Sequence, residues 1–276
     1  MRIQRSTGIV LVHILIVLVA ALSVFPFYWM FVVGSNTTAA ASRIPPVVLP
    51  GGLFWTNALR VFAQVDFFRG LYNSFVVAGV ITASVLFFSS LAGFAFAKLD
   101  FPGKKMLFVI VIGTMMVPLQ LGIIPQYIIM QFLGWVNDLK AVIVPFAVTG
   151  FGVFWMRQYI AGAIPDELLD SARIDGASNF RLYASIAMPI TAPAFGTLGI
   201  ITFMQFWNEF IWPLVVLRDA SVQTVQIMLR TLQSAYFIDY SLVLAATFMA
   251  TLPVLLVFMV FSRQFISGIG DGALKG

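Results

Sequence analysis

The chain of 276 residues has no cysteine and a single histidine, His13. Without thiols there is no disulfide framework and no thiolate catalysis. One imidazole leaves no zinc-ligand cluster, so no metal site is expected. Charge is scarce too: 10% of residues are Asp, Glu, Lys or Arg, against about 25% in an ordinary soluble domain. No G-x-x-x-x-G-K-[ST] loop is present to cradle nucleotide phosphates. Hydrophobic residues instead make up 61% of the chain, and the mean hydropathy is +0.98. A water-soluble globule cannot hide that much apolar surface, because much of any folded surface stays exposed. A soluble enzyme, a disordered chain and a coiled coil are excluded, and a polytopic membrane protein remains. The net charge of +5 does not call for a nucleic-acid partner, since basic residues of membrane proteins collect on the cytoplasmic side.

About 20 mostly apolar residues are needed to cross a bilayer. Six segments qualify: Gly8 to Val33, Asn73 to Ala97, Met106 to Ile124, Ala141 to Met156, Leu182 to Trp207 and Ser241 to Phe261. The fourth is short, with Lys140 and Arg157 able to snorkel to the two interfaces. The first is too long for a signal-peptide core and reads as a retained span. An even count puts both ends on one side. Ten of the 16 Lys and Arg then share that side and six lie opposite, which makes both termini cytoplasmic by the positive-inside rule. The expected fold is therefore an all-α integral membrane protein of six transmembrane helices, with residues 1–276 as one transmembrane domain.

Some stretches do not fit a simple count. Leu119 to Trp135 is apolar but interrupted by Gly122 and Pro125. It is open to three readings: a surface-lying helix, a re-entrant piece, or the end of the third span. Ile211 to Leu217 is too short to cross. Non-helical backbone survives at membrane depth only against protein or a watery cavity, so both stretches are candidates for lining something. Thr56 to Val65 reads as a short helix in the long outer segment. No internal repeat is evident, which weakens an inverted-repeat carrier.

The segment between the fourth and fifth spans, residues 164–181, has its own physics. Pro165 suits the first position of a helix, where its missing N–H costs nothing. Asp166 and Glu167 then fall in the first turn, at the positive end of the helix dipole. The helix runs to about Arg173. Asp175-Gly176 is a turn pair, with Gly able to take positive φ, and Ser178 can cap a second helix leading into the fifth span. The product is a helix–turn–helix elbow, acidic at its start and small at its centre (Ser171, Ala172, Gly176, Ala177). Small residues on an exposed elbow let another protein approach closely; a plain polar connection is the alternative.

Asp170-Ser-Ala-Arg-Ile-Asp-Gly176, followed by Ile186-Ala-Met-Pro189 and Pro193, resembles the "EAA" signature of permease subunits in binding-protein-dependent ABC importers. Asp170 stands for the usual Glu, Ser171 for Ala and Met188 for Leu. Phe101-Pro-Gly-Lys104, Trp207-Asn-Glu-Phe-Ile-Trp-Pro-Leu214 and the ending Gly272-Ala-Leu-Lys-Gly276 are similar to further stretches of the MalG-like, carbohydrate-uptake class. The resemblance covers nearly the whole chain. It implies the type I ABC importer permease fold in a bacterial or archaeal cell membrane. It also implies a second homologous permease, two ATPase subunits holding ATP and Mg, an extracytoplasmic solute-binding protein, and no cofactor on this chain. Elbow residues Asp166, Glu167, Asp170, Ser171, Ala172, Asp175, Gly176 and Ala177 would seat in the ATPase. The tail 263–276, with Gly272 and Lys275, would reach between the two ATPases; its glycines are expected to prevent a stable helix. Disaccharides, oligosaccharides and glycerol phosphates all use permeases of this kind.

Trp207, Asn208, Glu209 and Trp212 combine aromatic faces with amide and carboxylate groups, the chemistry of a sugar site. Interfacial anchoring by the tryptophans and structural pairing of Glu209 is the competing reading. Two rival classes are weighed. A stand-alone secondary carrier or channel would need intramembrane charges for coupling, and none of the six predicted spans carries one. An intramembrane enzyme would need a nucleophile and base that the composition does not supply.

Overall fold

The computed structural model describes the backbone of residues 2–233 and 238–273, and the side chains of residues 9–233 and 238–262. The described residues form helices joined by turns and short irregular stretches, with no strand. Contacts divide the chain into two units: Met1–Phe67 with Met228–Leu252, and Phe68–Ile227 with Pro253–Gly276. Four helices are long and apolar enough to cross a membrane, or up to six if each of two sharply bent pairs is one span.

In the first unit the long N-terminal helix, Arg2–Gly34, meets the start of the last helix, Tyr240–Ala273. A Cβ on Gly34 would lie 2.8 Å from the Ala245 backbone, so the two helices touch where one side chain is missing. Phe31, Phe54 and Phe248 form a ring cluster with centroids 5.1–5.7 Å apart. The predicted outer helix is present as Phe54–Gln64, and Asn57 fastens it by donating to the Gly34 and Asn36 carbonyls at 2.9 and 3.0 Å.

The second unit is built on Phe67–Lys98. Gly93 lies against Met156 and Arg157 of Gly150–Ala163, so close that a Cβ would sit 2.7 Å from Met156 Cβ and 2.8 Å from the Arg157 nitrogen. Gly152 faces Ser89 in the same way. Small residues at such crossings let membrane helices approach closely. Farther along, Ser90 Oγ and the Tyr183 hydroxyl are 2.7 Å apart.

Two of the six expected spans are not straight. Lys104–Met116 turns by 91° into Leu119–Phe132. Val117 sits in an extended conformation, ψ 118, as a residue before proline must, and Pro118 has no N–H to continue the helix. The long expected span from Leu182 is likewise broken: Asn179–Ile190 and Ala192–Trp207 meet at 77°. Tyr183–Ala187 forms a π-helical turn ahead of Pro189, and Thr191 takes a non-helical conformation. Pro189 and Pro193 each delete a ladder donor, and Thr191 Oγ1 caps the Ala187 carbonyl at 2.7 Å.

The fourth span is longer than expected, Lys140–Ala163, and contains a 3₁₀ turn at Val144–Phe146 around Pro145. Arg157 therefore stands inside the helix, not at its end, its guanidinium 4.8 Å from the Phe108 ring centroid. The expectation of a non-helical glycine tail is also corrected. Tyr240–Ala273 runs through Gly268, Gly270 and Gly272. A helix already nucleated adds residues cheaply, and glycine's cost of about 1 kcal/mol is only a weak bias against that. Lys275 lies outside the described residues.

Candidate functional site

The elbow forms largely as its residues dictate. Its helix is Asp166–Ile174, with Asp166 and Glu167 in the first turn. Pro165 is the N-cap, one position earlier than expected, because its ψ of 143 is extended. At the far end Gly176 takes φ 83. Its N–H donates to the Arg173 carbonyl, and the Ala177 N–H donates to the Ala172 carbonyl, each at 3.0 Å. This crossed pair closes the orphan carbonyls of the last turn. Ser178 Oγ accepts from the Arg181 N–H at 3.3 Å and starts the next helix.

The elbow stands on two cations. Lys98 Nζ donates to Asp166 Oδ1 and to the Ile164 carbonyl, both at 2.6 Å. Arg173 donates to Asp170 at 2.7 Å and to the Lys98 carbonyl at 3.3 Å. The hydrogen bond and charge of Lys98 hold the Asp166 carboxyl below its usual range. Leu169 is buried beneath the helix, whereas Ile174 and Phe180 are exposed. Glu167, Asp170, Ser171, Asp175 and Gly176 are also exposed, and Ala172 and Ala177 are half-buried. Nothing local to Lys98 in the sequence reveals that it clamps a helix far along the chain.

Toward the other end of the same unit, the first of the two sharp breaks faces a cavity of about 630 Å³. Val117 and Leu119 flank that break; Val148, Thr149 and Gly150, where the fourth span leaves its 3₁₀ turn, line the cavity from the other side. Thr114, Gln126, Thr202 and Gln205 supply its polar lining. A smaller space of about 70 Å³ shares Leu119, Gln126, Phe146, Gln205 and Phe206 with it and adds Gln120, Glu209 and Trp212. Gln126 Nε2 is buried and has no hydrogen-bond partner.

The predicted sugar-site residues are only partly brought together. Trp207 is buried and stacked on Phe203, with centroids 5.6 Å apart. Asn208 donates to the Met204 carbonyl in its own helix at 2.8 Å. Trp212 is buried, its Nε1 donating to the Ala141 carbonyl at 2.9 Å, and its backbone N–H donates to Glu209 Oε1 at 3.2 Å. Of the four, Glu209 and Trp212 line the smaller space. Sequence reasoning misses the glutamines: each stands alone in an apolar stretch, and nothing local shows that they line one cavity. Among the described residues no three His, Cys, Asp or Glu converge as a metal site would require.

An all-helical membrane chain with broken spans, a cavity at one break and a braced elbow at one end defines a transport component. Residues 85–265 match the family of binding-protein-dependent transport system inner membrane components, and the chain belongs to that family. It is 39% identical over 210 residues to the arabinooligosaccharides transport system permease protein AraQ of Bacillus subtilis (strain 168), covering 76% of this chain and 74% of that one. It is 35% identical over 252 residues to the lactose transport system permease protein LacG of Rhizobium radiobacter, covering 91% of each. In fold it matches a chain of a bacterial ABC transporter that imports the acidic polysaccharide alginate. The TM-score is 0.81 at 23% identity, over 96% of this chain and 98% of the other.

Proposed function

We propose that the chain is the permease subunit of an ATP-driven importer that brings a sugar or sugar-like solute into the cell. The family supports a binding protein as donor of the solute, and the names of the two permease relatives support a carbohydrate. The observation that carries the coupling role is the elbow: a short helix with an exposed acidic and small face, clamped at its base by Lys98 and Arg173. A lever has to be stiff where it joins the part it moves. Asp166, Glu167, Asp170, Ser171, Ala172, Asp175, Gly176 and Ala177 would seat in an ATPase subunit, where ATP and Mg are held. Exposed Ile174 and Phe180 would add apolar contact. Contacts that differ between the two ATPase states would bias the permease between inward- and outward-facing forms.

A second, related permease completes the pathway, two ATPases face the cytoplasm, and a solute-binding protein docks outside. Both termini are cytoplasmic in this reading, on the strength of the charge split, and Gly272 and Lys275 of the tail contact the ATPases. The experiment compares the lone chain with the assembled importer in proteoliposomes. The lone chain should neither hydrolyse ATP nor carry sugar. The assembled importer should need ATP, and Glu167→Lys with Asp170→Lys should abolish its uptake. Sugar flux through the lone chain, unaffected by those substitutions, would instead establish a stand-alone carrier.

A further inference from the structure

The cavity at the Val117–Leu119 break has a lining that chooses among solutes. Neither the larger space nor the smaller one is lined by a Lys, Arg or His, and Glu209 is the one acid at either. The remaining polar groups are amides and hydroxyls. A glutamine amide offers a donor pair and an acceptor together, which matches neighbouring sugar hydroxyls that both give and accept. Phe146, half-buried and backed by Phe206 with centroids 5.2 Å apart, offers an apolar face on which the C–H side of a sugar ring can rest. The buried, unpartnered Gln126 Nε2 is a donor that gains a hydrogen bond when a hydroxyl arrives.

An anion meets a different balance. A phosphate or uronate in this space would give up water and find no cation, with the Glu209 carboxylate nearby. Burying an unpaired charge is costly, and a like charge at close range adds to that cost.

Broken helices make the cavity fit for passage. Backbone is tolerated out of helix at membrane depth where it lines a cavity, and here the Val117–Leu119 break and the non-helical Val148–Thr149 stretch do so. From these observations we infer that Gln126, Gln205 and Glu209 form this chain's share of the solute path, and that the path accepts an uncharged polyhydroxyl solute such as a neutral oligosaccharide and discriminates against anionic ones. The inference rests on the importer reading and names the substrate class for it.

The absence of native cysteine makes the test direct. Gln205 is exposed to the cavity side, so a thiol placed there by Gln205→Cys is within reach of a maleimide, whatever the substitution itself does to uptake. In the importer assembled with its partner permease and ATPases, maleimide labelling of Gln205→Cys is timed with lactose, arabinotriose, sn-glycerol 3-phosphate or an alginate trisaccharide present. A neutral sugar should slow labelling about tenfold when it is at ten times its dissociation constant, and neither anion should slow it. Uptake is measured alongside, and Gln126→Leu should cut uptake of the neutral sugar while binding-protein-stimulated ATP hydrolysis persists. Protection by an anion would overturn the inference. So would unchanged labelling and unchanged Gln126→Leu uptake in vesicles that import a sugar with ATP; that result leaves the importer reading standing and removes this cavity from the path. ATP-independent flux would instead overturn the importer reading itself.

Discussion

Lys98 and Asp166 stand 2.6 Å apart at the base of the elbow, yet the lysine side chain is 5% exposed and the aspartate 78%. The pair is therefore unequal. Without Asp166 the ammonium keeps the Ile164 carbonyl. Without Lys98, the elbow helix loses the Asp166 contact and the preceding helix loses a partner for its final carbonyl.

The first prediction follows from that inequality. Lys98→Met should destabilise the purified importer by about 1.5–3 kcal/mol, the range for a hydrogen bond to a charged group. Asp166→Asn should cost much less, as exposed ion pairs do. Thermal unfolding of both variants in detergent checks the order. Equal losses would show that the exposed carboxylate matters as much as the buried ammonium.

Gly176 gives a second prediction. Its φ of 83 is in the left-handed region, and a Cβ there would meet open space. Gly176→Ala should then act through backbone strain alone, at about 1–2 kcal/mol. Gly176→Asn should cost less, because Asn tolerates that conformation. Hydrogen exchange of the Ala177 amide, which closes the turn onto the Ala172 carbonyl, reads the loss directly.

At Gly93 the opposite cause applies. The neighbouring atoms include the Arg157 backbone nitrogen, 2.8 Å from an added Cβ, and a backbone cannot step aside. Gly93→Ala should cost about 1–3 kcal/mol through overpacking, and Gly93→Leu should prevent accumulation of the protein in membranes. Normal yield of the leucine variant would show that the two helices separate freely.

The fourth prediction concerns pH and the first unit. Asp239 receives hydrogen bonds from Ser241 Oγ at 2.6 Å, from Thr38 Oγ1, and from the Leu242 N–H at 3.1 Å, and it pairs with Arg60 at 2.5 Å. Burial pushes its carboxyl up, but these partners together outweigh burial and hold it well below the usual range. A lowered folded value means that the stabilisation is complete above the unfolded pKa, about 3.9. It is lost as pH falls through the folded value. The stability gap between wild type and Asp239→Asn, expected at about 2–3 kcal/mol, should be flat at neutral and mildly acidic pH. It should narrow only below about 4. A gap that closes between neutrality and pH 5 would point to another group.

What the sequence discloses depends on how far apart the cooperating residues lie. The elbow was legible because Pro165, Gly176 and Ser178 act on their immediate neighbours. Pro118 and Pro189 are equally local, but an apolar run of the right length invites a straight span through them, and hydropathy does not register a missing donor. The Asp239 latch joins Thr38 and Arg60 across most of the chain, and Gln126 and Gln205, distant in sequence, line one cavity. Asn137 is similar: its φ of 67 and its acceptance of the Arg218 and Asp219 amides at 3.0 and 2.9 Å leave no local trace.

The Ile9–Gly34 segment is the most apolar of the candidate spans, and its strongest window has no residue buried within the chain. That window needs nothing else in the chain to be a helix in lipid, although the end near Gly34 packs on the last helix. During synthesis such a segment can enter the bilayer and settle its direction before the helices that follow it exist. The segments that bend have no such independence, because their open backbone ends need neighbours or water. Among these helices the order along the chain is then also an order of assembly: the self-sufficient one ahead of the breakable ones, which wait until there is something to shelter them.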